Sequence, residues 1–161
     1  MIKKVIILII LITILFSFQI VYANDNLKTS AKTHILMDYS TGMIISEENS
    51  RLALDTAGIT RAMTILIVLE EIENGAINLN ESITISKKAS SMGGTQVFLR
   101  ANQDYKTEDL IKAAIVASAN DACMALAERI AGSNEGFVDL MKQRANELGF
   151  VNTVFTNATG I

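Results

Sequence analysis

"DTAGITRAMTILIVLEE", residues 55–71, is the stretch on which the fold turns. By periodicity alone its "ILIVL" reads equally well as a buried strand. Residues 59–74, however, run without a turn signal until Asn74-Gly75. That length, with a glycine where a helix ends, predicts a helix closed by a glycine C-cap. It is apolar on nearly every side from Ala62 to Leu69, so it is expected to run through a core. Its entrance carries Gly58 and Arg61, one helical turn apart.

Working outward, residues 32–38 ("KTHILMD") and 42–46 ("GMIIS") are two β-type runs around "YST" and Gly42, which predicts a hairpin. Downstream, 81–86 ("ESITIS") reads as a short strand, followed by the glycine-containing loop "SSMGGTQVFL". Thr107 is expected to cap a helix whose first turn holds Glu108 and Asp109, favourable at a positive helix end. That helix, "LIKAAIVA", breaks at Ser118-Ala119-Asn120. A further helix spans 121–131 before Gly132. Another spans 134–148 before Gly149, with an apolar stripe of Phe137, Leu140, Met141 and Leu148. The expected class is α+β, a hairpin with a helical cluster.

The first residues are not core. Lys3 and Lys4 precede an apolar run over 5–18, and "VYA" puts small Val21 and Ala23 where a signal peptidase reads. Cleavage after Ala23 is expected, leaving a domain over 24–161 and an exported protein. Membrane attachment is expected only if the segment stays uncleaved, as a spanning helix wants about 20 apolar residues. The remaining 138 residues hold 12 basic and 17 acidic side chains, a net charge of −5. Nothing in that balance attracts nucleic acid. The single cysteine, Cys123, excludes an internal disulfide and reads as a small buried hydrophobe. The single histidine, His34, excludes a histidine-based triad and offers no metal site, so no metal or cofactor is expected.

Taken together, the segments "ILMDYSTGMII", "AGITRAMTILIVLE", "GGTQVFL", "YKTEDLIKAAIVASANDACMALAERIAGS" and "FVDLMKQRANELGFVNTVFTNATGI" resemble, in order, the serine D-alanyl-D-alanine carboxypeptidases, low-molecular-mass penicillin-binding proteins. The resemblance covers residues 31–161. It implies a β-lactamase/transpeptidase-like fold, here truncated, with the later sheet strands missing. It also implies a peptidoglycan stem peptide ending in D-Ala-D-Ala as the ligand, if anything binds.

The family chemistry uses the motifs S-x-x-K, S-x-N and K-T-G. Positions i and i+3 share a helix face, so the lysine reaches the serine hydroxyl and takes its proton. Carried over residue by residue, the nucleophile position falls on Gly58 and the base position on Arg61. Glycine has nothing to acylate, and a guanidinium stays protonated. Thr60 lies about 200° round the helix from Gly58, on the opposite face. Ser118 and Asn120 match the second motif, the serine in the proton path and the asparagine against substrate; taken alone, they also read as a cap between helices. The third motif has no counterpart after "F-x-N-x-x-G", which ends at Gly160.

Two readings stay open on the sequence. One is a non-hydrolysing relative that still holds muropeptide ends or serves as an interaction protein. The other is a truncated remnant without a ligand. An active carboxypeptidase would need a substitute nucleophile, and none is visible.

Overall fold

The computed structural model describes residues 29–161. The signal expected over 1–23, and the domain start at 24, lie outside them. The chain divides into two units, the first ending at Ala53 and the second running from Leu54 to Ile161.

The first unit carries the expected hairpin. Strands β1 (His34–Met37) and β2 (Ile44–Glu48) pair antiparallel, with a register irregularity between Leu36 and Met37. The second strand lies two residues further along than expected because the turn is longer. Asp38 organises that turn: its Oδ1 accepts from the Ser40 hydroxyl, the Thr41 hydroxyl and the Thr41 N–H. Those bonds, the Thr41 hydroxyl foremost, hold the Asp38 carboxyl below its ordinary value. Ile35, Met37, Ile44 and Ile45 are all exposed.

The second unit is helical. A 3-10 turn, Ala57–Ile59, leads into α1 (Thr60–Glu73), the helix expected over 59–74. Gly75 closes it with φ +75°, its N–H donating to Ile72 O. A left-handed residue there satisfies otherwise orphaned carbonyls, and glycine adopts it without strain. Strand β3 (Ser82–Thr84) pairs antiparallel with β4 (Asp104–Lys106), which sequence reading missed. Between them lies the short α2 (Lys87–Ser90), also unanticipated, with the Ser86 hydroxyl accepting from Ala89 N. Then come α3 (Thr107–Val116), α4 (Asn120–Ala131) and α5 (Asn134–Glu147).

Helix α4 is the hub, packing on α1, α2, α3, α5 and β3. Every residue from Asn120 to Ala127 is buried. Two apolar clusters form around it. Val68, Ile85, Leu110 and Leu126 belong to one; Met63, Ile67, Phe137, Met141 and Phe155 belong to the other. Each fully buried side chain of this size contributes roughly 1.5–3 kcal/mol. Helix α1 feeds both clusters, which is why its apolar residues wrap so far around it.

Three local expectations are corrected. Thr107 does not cap α3: Lys106 is the cap, and Thr107 is the first helical residue, its N–H and hydroxyl both donating to Glu81 O. Leu148 lies past the end of α5 and is 41% exposed, so it is not part of that helix's buried stripe. Ala62 and Leu69 are exposed, so α1 keeps one outward strip.

Candidate functional site

Three segments of the second unit meet at the entrance to α1. The first is that entrance itself. Gly58 lies in the 3-10 turn and Arg61 in the first turn of α1, half-buried. Arg61 Nη1 donates to Asn120 Oδ1 at 3.2 Å and, in a longer contact, to Thr159 O at 3.5 Å. The guanidinium lies beside Gly58: a Cβ built there would stand 2.8 Å from Nη2 and 3.6 Å from Cζ.

The second segment is the junction between α3 and α4. Ser118 adopts φ +53°, in the left-handed region, and is half-buried. This reverses the chain, so that α4 begins at Asn120 with its side chain turned inward. The capping alternative fails for both residues, because α4 has no side-chain cap. Asn120 Nδ2 instead donates to Gly93 O at 2.9 Å, and its N–H donates to Thr95 O at 2.8 Å. Gly94 must be glycine here: its φ is +73°, and a Cβ would stand 2.7 Å from Asn120 Nδ2. The structure therefore brings Gly58, Arg61 and Asn120 together. Ser118 is two residues away along the chain, with no side-chain hydrogen bond to them among the described residues.

Asp121, fully buried, extends the grip on the loop. Its carboxylate accepts from the N–H groups of Val97, Leu99 and Ala122. Between the two clamped loop amides Phe98 is held at φ +60°, with its ring 77% exposed.

The third segment is the final turn. Phe155 is buried, and Thr64 Oγ1 donates to Ala158 O at 2.6 Å while Asn134 Oδ1 accepts from Ala158 N at 3.1 Å. Asn157 Oδ1 accepts from Thr159 N, Thr159 Oγ1 and Gly160 N, folding the turn so that Thr159 O faces Arg61. Sequence reading named none of Thr64, Asp121, Asn134 or Asn157 as site-building residues. The Asn157-to-Gly160 spacing, a side-chain turn ending in glycine, was the available signal.

Electrostatics close off one chemical option. Burial pushes the Cys123 thiol up to about 11; the charge of Arg61 pulls against this and that of Asp121 adds to it. The thiolate is the nucleophile, so this cysteine stays inert at neutral pH. Among the described residues no group of three or more His, Cys, Asp or Glu is placed to hold a metal. The acid-lined groove between α1 and α5, bridged by Arg144 and Glu70, involves none of the residues above.

The fold is that of the penicillin-binding proteins. D-Alanyl-D-alanine carboxypeptidase DacD from Francisella tularensis superposes with a TM-score of 0.82 at 38% identity, over 84% of this chain and 33% of that one. Penicillin-binding protein 5 from Haemophilus influenzae superposes at 0.80 and 33%, over 83% of this chain and 40% of that one. The family defined by D-alanyl-D-alanine carboxypeptidases matches residues 20–161, and the chain belongs to it. D-Alanyl-D-alanine carboxypeptidase DacF of Bacillus subtilis is 38% identical over 137 residues, 85% of this chain and 35% of the relative. DacC of Escherichia coli is 36% identical, over 81% and 34%. The chain thus spans about a third of the length of these curated relatives.

Proposed function

We propose that this chain is a non-acylating member of the carboxypeptidase family, exported to the cell envelope, whose site retains a geometry for peptide ends without the means to cleave them. Family membership supports the substrate class: a peptidoglycan stem peptide ending in D-Ala-D-Ala. The export signal read at residues 1–23, ahead of a domain over 24–161, supports the location. In this reading Gly58 stands at the nucleophile position, Arg61 at the base position, and Ser118 and Asn120 at the second motif.

The observation that carries the proposal is the pairing at 58 and 61. A serine acylates only if a neighbouring group removes its proton. Gly58 has no hydroxyl, and the guanidinium of Arg61 has no lone pair to accept a proton. Asn120 turns inward and accepts a hydrogen bond from Arg61, which supports reading the two positions as parts of one site. The buried, protonated Cys123 is no substitute nucleophile.

The test is covalent labelling. Removing the nucleophile of a serine protease costs roughly 10⁶ in rate, so the full chain incubated with a fluorescent penicillin is expected to show no labelled band on a denaturing gel. A stoichiometric band would overturn the reading.

A further inference from the structure

Arg61 differs from the other arginines of its unit that make side-chain contacts. Arg129 pairs with Glu81, and Arg144 with Glu70 and Glu147. Arg61 is half-buried, yet among the described residues no carboxylate forms an ion pair with it. Its hydrogen-bond acceptors are a side-chain amide oxygen and a backbone carbonyl, and both take their bond from Nη1. Asp121, next along the chain from Asn120, has its oxygens committed to backbone N–H groups. The Cys123 thiol stays neutral and balances nothing. A partly desolvated cation is unfavourable without a counter-charge.

The geometry says where the counter-charge belongs. With Nη1 anchored inward, Nε and Nη2 have no hydrogen-bond partner among the described residues. A guanidinium presents paired N–H groups that match the two oxygens of a carboxylate. Nη2 lies on the side of Gly58, where a Cβ would approach within 2.8 Å. Any side chain at 58 would displace the guanidinium, whereas glycine lets it lie against the backbone and hold its position. We infer that Gly58 and Arg61 form a carboxylate receptor, in which Arg61 supplies the Nε–Nη2 edge and the missing side chain at 58 makes room for the guanidinium that carries it. Position 58 is then matched to Arg61, beyond having lost a hydroxyl. This rests on the non-acylating reading and assigns that site its ligand-contacting residue.

The experiment is a titration of the full chain followed by ¹H–¹⁵N spectra, reading Arg61 Nε–H and Gly58 N–H. The probes are N-acetyl-D-alanyl-D-alanine, the same peptide with its C-terminus amidated, and acetate. Saturable shifts are expected with the two carboxylates and none with the amide. Tighter binding of the peptide acid than of acetate assigns the receptor to peptide ends; equal binding assigns it to small organic acids. Affinity is expected to fall roughly tenfold or more in Arg61→Gln, which removes the fork, and to fall by a smaller factor in Gly58→Ala, which displaces the guanidinium. Far-ultraviolet circular dichroism checks that each variant folds; if Arg61→Gln does not, Gly58→Ala carries the comparison. Equal shifts by acid and amide, no saturable shift by any carboxylate, or undiminished binding in a folded variant would overturn the assignment. The penicillin label reads out the non-acylating proposal separately, so the two fail distinguishably.

Discussion

Cys123 shows how one residue's surroundings set its chemistry. Its thiol is raised from an ordinary 9.0 to about 11, chiefly by burial. A raised value means that the protonated form is favoured in the folded state. The resulting stability is fully present below pH 9, where the unfolded thiol is also protonated, and is lost as pH climbs from about 9 to about 11. Over that window the loss amounts to on the order of 2–3 kcal/mol. Urea midpoints of the native protein and of Cys123→Ala, compared at about pH 8 and about pH 11, check this. The native protein should lose more stability than the variant across the interval. Equal losses would place the alkaline sensitivity on tyrosines and lysines instead.

At the scale of elements, residues 93–99 have little regular structure of their own and depend on the first turn of α4. Asn120 holds Gly93 and Thr95, and Asp121 holds Val97 and Leu99. Removing a buried carboxylate that satisfies several amides leaves them without partners. Asp121→Ala is therefore expected to destabilise the fold by about 2–3 kcal/mol. It should also accelerate amide exchange at Val97 and Leu99 ahead of the α4 interior. If those two amides stay as protected as before, the carboxylate is not what fixes the loop. Phe98 should leave its strained backbone conformation in the same variant, because it is held between the two clamped amides.

At the scale of the molecule, the two units differ in what they bury. The helical unit gathers two apolar clusters around α4, with Phe137, Leu126, Leu110 and Met141 fully buried. Among the described residues, the hairpin unit holds a two-stranded sheet with apolar residues exposed on both strands. Two strands alone are marginal in water, and apolar strand edges invite association. Segment-resolved hydrogen exchange on the full chain is expected to give strong protection in α1, α4 and α5 and rapid exchange across β1 and β2. It should be accompanied by concentration-dependent association in sedimentation experiments. Strong protection of residues 34–48 in a monomer would run against both expectations.

Local sequence determined the elements whose signals are themselves local. The hairpin was legible from two apolar runs around Gly42, and three of the helices from the glycine stops at Gly75, Gly132 and Gly149, because propensity and helix termination act over a few neighbours. Strand β4 and α2 were not legible: three and four residues carry too little pattern, and β4 exists only because β3 lies beside it. The capping expectation for Thr107 failed for a related reason, since Glu81, far along the chain, claims its hydroxyl. For the proposed site, the family resemblance pointed to Gly58, Arg61, Ser118 and Asn120, and residue identity alone says that glycine has no hydroxyl and a guanidinium no basic lone pair. Only tertiary structure decided that the Arg61 guanidinium lies over Gly58, anchored by Asn120 and Thr159 from segments 59 and 98 residues away. Residue identity settles what a side chain can do chemically. Where its charge points, and which partners it lacks, depends on segments that meet only when the chain folds.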